Sequence, residues 1–274
     1  MGKFDGILFC TDLDGTLLNN ARTISNENLQ AIEYFKKEGG YFTFITGRMP
    51  YYAMHLCNAI KPNAPFGCVN GGGLYDGATG KYVWTKTLSK DVFKLVKVID
   101  QKFDEIGILA NCFERTHFCK ENNETARFRK ATGIPNLVSS YEQVKDNIAK
   151  ITFASDDDAL ISAVEQTLRA HPLASKYDFI RSERTLFEIL PKGIGKGVAV
   201  KKLCEHLGVD LNKTVVTGDY NNDISMFEVA FVGVAVANAC PQALEKADYI
   251  TVSNEQHAIA QVISDIENGL IKLG

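Results

Sequence analysis

Short apolar runs that stop on acidic or glycine-containing turns recur along the chain. The first, Ile7-Leu8-Phe9-Cys10-Thr11, ends on Asp12-Leu13-Asp14-Gly15-Thr16. A run that is apolar at every position, rather than at alternate ones, predicts a strand covered on both faces. Four more segments share this character: Tyr41–Ile45, ending at Thr46-Gly47-Arg48; Thr214–Thr217, ending at Gly218-Asp219; Val232–Val236; and Tyr249–Val252. Between the first two, Leu29, Ile32 and Phe35 fall near one helical face, after Ser25 as N-cap and before Gly39-Gly40 as stop. Further helices are predicted from about Gly197 to Leu207, where Gly208 stops the pattern, from Pro241 onward, and over Gln256–Ile266. Parallel strands alternating with helices predict an α/β fold built on a doubly wound parallel sheet.

The middle of the chain breaks that rhythm. A helix is predicted over Ser89–Glu105, strands near Ile108–Phe113, His117–Cys119 and Ile148–Ala154, a helix over Asp156–Arg169, and strands at Asp178–Arg181 and Leu186–Leu190. Strand pairs beside helices suggest an inserted α+β domain. Asn70-Gly71-Gly72-Gly73, Asp76-Gly77 and Thr79-Gly80 read as the turns of a hairpin leading into it. The expected division is residues 1–83 and 186–274 as a catalytic core, with 84–185 as a cap domain.

Composition narrows the partners. With 274 residues, 45% of them hydrophobic and 23% charged, the chain can build a sizeable core. A formal net charge of -3 gives no long-range attraction for nucleic acid or an acidic membrane, so an anionic ligand must be held by local cations. The cysteines (Cys10, Cys57, Cys68, Cys112, Cys119, Cys204 and Cys240) are odd in number, lack a Cys-x-x-Cys pair and mostly sit in apolar segments. That pattern fits a reducing, cytoplasmic setting. Met1-Gly2-Lys3-Phe4-Asp5-Gly6 has no signal-peptide character, Gly6 stands where a myristoylation signal needs Ser or Thr, and no apolar stretch approaches membrane-spanning length. The sequons at Asn123 and Asn212 are then chance matches.

In open α/β sheets, ligands collect at the carboxyl ends of the strands, which is where Asp12 and Asp14 fall. Two carboxylates beside an apolar strand need a cation, hydrogen-bond donors or water to stay ionised together. Cleavage of a phosphate monoester needs an in-line nucleophile, a proton for the departing alkoxide, and positive charge around the transferring group. Asp12 suits the first role and Asp14 the second. Thr46-Gly47-Arg48 offers a hydroxyl and backbone N–H groups at a strand-to-helix turn. Lys196, at a helix start between Gly195 and Gly197, suits a point-charge phosphate contact, although the spacing is not that of a P-loop. Gly218-Asp219-Tyr220-Asn221-Asn222-Asp223 adds further hard oxygen donors, which suit Mg²⁺ rather than zinc or copper. Each motif alone also reads as an ordinary turn or cap; their common placement at strand ends and helix starts favours a site.

Asp12-Leu13-Asp14-Gly15-Thr16, Thr46-Gly47-Arg48, Lys196 and Gly218–Asp223, in this order and spacing, resemble the four motifs of the haloacid dehalogenase superfamily. The insert, the Asn70-Gly71 pair, Lys196-Gly197 and Asn238-Ala239 are similar to its Cof-type phosphatases of subclass IIB. The resemblance implies a Rossmann-like core with a mobile cap, and Mg²⁺ as cofactor. It implies Asp12 as nucleophile and metal ligand, and Asp14 as acid/base that also lends its backbone carbonyl to the metal. Thr46, Gly47, Lys196 and Asn222 would bind the phosphoryl group, with Arg48 and Asn70 nearer the substrate. Asp219 would be a metal ligand, and Asp223 would hold the metal's water shell or orient Lys196.

Ion-pumping relatives carry Thr where this chain has Asp14, and dehalogenating relatives lack that second Asp, so the resemblance implies hydrolysis of a small phosphorylated metabolite. A phosphomutase of the same superfamily and a non-catalytic sensor of phosphorylated ligands are the alternatives. His55, His117, His171, His206 and His257 lack metal-ligand spacing and read as surface or packing residues. His117 stands apart because Arg115, Lys120, Arg127 and Arg129 make its surroundings basic. That cluster reads either as a solvated face or as a contact for an acidic substrate. Asp156-Asp157-Asp158 reads as a helix N-terminal cap.

Overall fold

The structure, a computed structural model, describes residues 2–134 and 137–274; Met1, at the head of the N-terminal stretch, and Pro135 and Asn136 lie outside the described residues. Two compact units are present: Met1–Trp84 with Gly195–Gly274, and Thr85–Ile194.

The first unit begins with β1 (Leu8–Thr11), α1 (Asn26–Lys37) and β2 (Tyr41–Phe44). β1 and β2 pair in parallel, Leu8 opposite Tyr41 and Thr11 opposite Phe44. The apolar side chains of β1 point alternately to two buried faces, as a strand covered on both sides requires. Phe9 meets Phe35 of α1 and Phe42 of β2 with ring centroids 5.9 and 5.3 Å apart. α1 starts where the Ser25 hydroxyl accepts the Asn28 N–H at 3.2 Å. A helix that the apolar pattern does not predict, α2 (Pro50–Ile60), follows with proline in its first turn. β3 (Phe66–Cys68), β4 (Gly73–Asp76) and β5 (Lys81–Thr85) then form a separate three-stranded sheet, and the glycine-rich stretches expected to be turns connect them.

The second unit contains α3 (Val92–Lys102), β6 (Gly107–Cys112), β7 (Thr116–Lys120), α4 (Asn123–Thr132), β8 (Ile148–Ala154), α5 (Asp158–Arg169), β9 (Tyr177–Glu183) and β10 (Leu186–Pro191). Its strands run antiparallel in the order β7-β6-β8-β10-β9. β10 hydrogen-bonds between β8 and β9, so Leu186–Pro191 lies in this unit, whereas the sequence division at 185 assigns it to the other. Ile108, Ala110, Ile151, Phe153, Phe187 and Ile189 share a core with Leu95 and Ile99 of α3 and Ile161 and Val164 of α5. α5 is capped by Asp157, whose carboxylate accepts the Ala159 N–H at 2.8 Å. The basic cluster is matched by acids: Arg127 pairs with Glu124, Arg129 with Glu121, Lys120 with Asp100, and Arg115 with Asp146.

The first unit resumes with α6 (Lys196–Leu207), β11 (Thr214–Gly218), α7 (Ile224–Phe227), β12 (Val232–Ala235), α8 (Pro241–Lys246), β13 (Tyr249–Ile250) and α9 (Ala258–Glu267). All strands of its main sheet are parallel, in the order β13-β12-β11-β1-β2. Leu8 and Cys10 of β1 pack with Ala199, Val200 and Leu203 of α6. On α1, Asn28 Oδ1 accepts the Ala260 N–H of α9 at 3.0 Å. Helices therefore cover both faces. From β1 the sheet grows one way through β2 and the other way through β11, so the strand order reverses at the β1–β11 pair. That is the topological switch point where such sheets bind ligands. Among the described residues no helix is long and apolar enough to cross a membrane.

Phe9 is fully buried, its ring packed against Phe35 and Phe42. Phe9→Ala is expected to cost about 3–5 kcal/mol, read as a lower urea midpoint at unchanged slope.

Candidate active site

β1 ends at the switch point, and the next residue is Asp12. The Asp12 N–H donates to the Thr217 carbonyl at 2.9 Å, so the backbone is tied to the end of β11. Asp12 is only 6% exposed. Lys196 Nζ lies 2.5 Å from Asp12 Oδ1 and 2.5 Å from Asp223 Oδ1, and it is itself 1% exposed. Burial alone would lower the lysine's pKa, but the Asp12 and Asp223 carboxylates hold it above its ordinary value. Burial pushes the Asp12 carboxyl up, the charges of Asp223 and Asp219 add to this, and Lys196 opposes it.

Asp223 is a structural hub for the loop after β11. Its Oδ2 accepts the N–H groups of Asp219 at 2.9 Å and Tyr220 at 3.0 Å, while Oδ1 faces Lys196. Both oxygens of Asp223 are thus engaged, Oδ1 by the lysine and Oδ2 by the backbone of its own loop. Asp219 receives the Thr16 hydroxyl at 2.9 Å. Its carboxyl is pushed up to about 6, first by burial and then by Asp223. Ligand oxygens of Asp12, Asp219 and Asp223 all lie within 4.8 Å of one another. Clustered anions of this kind fit a hard divalent cation, because its charge relieves the repulsion and its preferred donors are oxygens.

Asp14, two residues after Asp12, sits in a different environment. Its side chain is 50% exposed, and Arg48 grips it in a two-point ion pair, Nε to Oδ2 at 3.0 Å and Nη2 to Oδ1 at 2.5 Å. Thr46 is buried at the end of β2, and its carbonyl accepts the Asn70 N–H at 3.0 Å. Asn70 Oδ1 accepts from Asn222 Nδ2 at 3.1 Å. A side chain on Gly47 would press on the Asn70 amide, and one on Gly71, at φ +88°, would strike the Gly195 carbonyl. Glycine at these points lets the Thr46 turn, the Asn70 turn and the start of α6 converge. Asp12, Thr46, Gly47, Lys196, Asn222, Asp219 and Asp223 thus come together, with Asp14 and Arg48 beside them.

Asn254, which no sequence motif marks, belongs to the support of this site. Its Nδ2 donates to the Leu18 carbonyl at 3.0 Å, its N–H to Asn238 Oδ1 at 2.9 Å, and Asn238 Nδ2 to the Gly15 carbonyl at 2.8 Å. The loop carrying Asp14 is thereby fastened to the segment after β12. Only Asn238 of this set carries a sequence signal.

The family model for haloacid dehalogenase-like hydrolases matches residues 9–263. The 5-amino-6-(5-phospho-D-ribitylamino)uracil phosphatase YwtE of Bacillus subtilis is 31% identical over 284 aligned positions, covering 94% of this chain and 97% of the relative. A haloacid dehalogenase-like hydrolase from Bacteroides thetaiotaomicron superimposes with a TM-score of 0.85 at 24% identity, covering 95% of this chain and 99% of that one. A subclass IIB sugar phosphatase of the same superfamily superimposes with a TM-score of 0.80 at 19% identity, over 97% and 100% of the two chains.

Because the folded-state pKa of Asp219 is raised, the folded protein keeps a proton that the unfolded chain has given up between about pH 4 and about 6. Stability of the metal-free protein is expected to fall as pH rises through this window, and Asp219→Asn to flatten the fall. Urea midpoints measured across pH in the presence of a chelator test both. Lys196→Ala leaves buried carboxylates without their counter-charge and is expected to cost about 3–5 kcal/mol in the same assay.

Proposed function

This chain belongs to the haloacid dehalogenase-like hydrolases and is a phosphatase, and we propose that it hydrolyses small phosphorylated metabolites with Mg²⁺ through a phosphorylated Asp12. The observation that carries this reading is the unlike setting of two aspartates two positions apart. Asp12 is buried against Lys196, and Asp14 is half exposed.

Asp12 attacks phosphorus in line with the scissile bond; its Oδ–P bond forms as the bond to the leaving oxygen breaks. The leaving oxygen takes its proton from Asp14. Asp14, now a carboxylate, removes a proton from water, the water oxygen bonds to phosphorus, and inorganic phosphate leaves with Asp12 restored. Lys196, the Thr46 hydroxyl, the Gly47 N–H and Asn222 hold the phosphoryl oxygens. Asp12, Asp219 and the backbone carbonyl of Asp14 would hold Mg²⁺, with Asp223 reaching it through water; the ion supplies charge neutralisation between phosphate and carboxylate. Arg48 is the gatekeeper of Asp14. Its two donors must pass to the substrate before Asp14 can carry a proton to the leaving group.

The substrate class follows the phosphorylated ribityl and sugar compounds in the relatives' names.

Phosphate release from a panel of monoesters that includes phosphorylated sugars and 5-amino-6-(5-phospho-D-ribitylamino)uracil tests the proposal. Turnover that requires Mg²⁺ and disappears in Asp12→Asn is expected; turnover that survives this change removes Asp12 as nucleophile. Asp14→Asn is expected to lower kcat by about 10²–10⁴-fold. Return of phosphate to a sugar, rather than its release, would mark a mutase.

A further inference from the structure

Within the second unit, the hairpin between β6 and β7 places a different set of donors together. Cys112 closes β6, His117 lies on β7, and Asp146 approaches on the segment before β8. One ligand atom from each, the Cys112 sulfur, an imidazole nitrogen and a carboxylate oxygen, lies within 4.8 Å of the other two. His117 Nε2 is 2.5 Å from Asp146 Oδ2. Cys112 is fully buried and His117 is 7% exposed.

We propose that Cys112, His117 and Asp146 form a binding site for a borderline-soft divalent metal of the zinc class, separate from the oxygen-only carboxylates around Asp12. Sulfur, imidazole nitrogen and a single carboxylate, with water in the fourth position, make a tetrahedral zinc donor set. Neighbouring ligand atoms around such an ion stand about 3.3–3.6 Å apart, given bond lengths of about 2.0–2.3 Å. The His117–Asp146 contact needs to open by about 1 Å, and the cysteine, within 4.8 Å of both, to close by at most about 1.5 Å.

The backbone is already arranged for this. The Cys112 N–H donates to the Arg115 carbonyl at 2.8 Å, closing the hairpin. Phe113 N–H donates to the Asn147 carbonyl at 3.0 Å, and Asn147 returns two bonds to Glu114 at 3.1 and 2.6 Å, pinning the residue next to Asp146. The other imidazole nitrogen, Nδ1, lies 3.1 Å from Ser139 Oγ. A partner of this kind fixes ring orientation and tautomer at metal-bound histidines.

Charge balances as well. A thiolate and a carboxylate neutralise a divalent ion, and binding releases the thiol proton to solvent as the sulfur–metal bond forms. Arg115, whose Nε is 3.5 Å from Asp146 and whose side chain is 58% exposed, gives up its place to the metal.

The test uses cobalt(II) as probe with the full chain stripped of metal. A near-ultraviolet thiolate-to-cobalt absorption, saturating at one equivalent and displaced by zinc, is expected; carboxylates alone cannot produce it. It should persist in Asp12→Asn and vanish in Cys112→Ser. Absence of the band, or its survival in Cys112→Ser, overturns the site. His117→Asn keeps the thiol and decides the matter should the cysteine variant misfold: zinc affinity at least tenfold weaker by titration calorimetry supports the proposal, and unchanged affinity refutes it. None of these readouts depends on phosphatase activity.

Discussion

One buried lysine organises the core unit. Lys196 reaches Asp12, 184 residues earlier, and Asp223, 27 residues later, and water reaches almost none of its side chain. A lone ammonium in such a place would cost several kcal/mol, and so would either carboxylate. The three groups are tolerable only together. Their mutual dependence fixes the start of α6 against the ends of β1 and β11, and Gly71 and Gly197 let the backbones approach, since a Cβ on them would strike the Gly195 and Ser225 carbonyls. Asp223 extends the constraint by holding two N–H groups of its own loop, which aims Asp219 at the same point.

The arrangement also explains how a unit of the size of Thr85–Ile194 can be spliced into the chain. The second unit closes its own antiparallel sheet and buries its own apolar side chains, so it does not draw on the parallel sheet for stability. The parallel sheet is in turn completed by α6 and the strands after it. Long insertions between elements that are fixed by other contacts carry only a modest entropic cost.

Much of the core unit is legible in the order of its residues. The strands of the parallel sheet announce themselves as unbroken apolar runs because both of their faces are buried, and the chemistry stands out because carboxylates follow those runs directly. α4 is not legible in this way: Asn123–Thr132 has no apolar stripe, and its buried residues are Glu124 and Thr125. The signal available there is the capping box of Asn122 and Thr125. β10 is legible as a strand, but the unit it joins is not, since its pairing with β8 and β9 is a tertiary fact that Leu186–Pro191 does not encode locally. His117 lacks metal-ligand spacing for a related reason. Asp146 lies 29 residues away and arrives only because Asn147 is tied to the hairpin.

In the mechanism we propose, the two aspartates of the first motif divide the labour according to their environments. Asp12 is enclosed, tied through its backbone to Thr217 and through its side chain to Lys196, so its oxygens have little freedom and a fixed direction. A nucleophile needs that restraint, because in-line attack depends on position. Asp14 is held by one partly buried arginine and its own side chain is half exposed, so a substrate that displaces Arg48 finds the carboxyl free to reach it. A proton carrier needs that freedom. Exchanging the two environments would leave an acid with its proton-transfer path sealed and a nucleophile without aim. Gly15, at φ +83°, turns the chain immediately after the exposed position, and the Asn238 amide on the Gly15 carbonyl holds that turn in place.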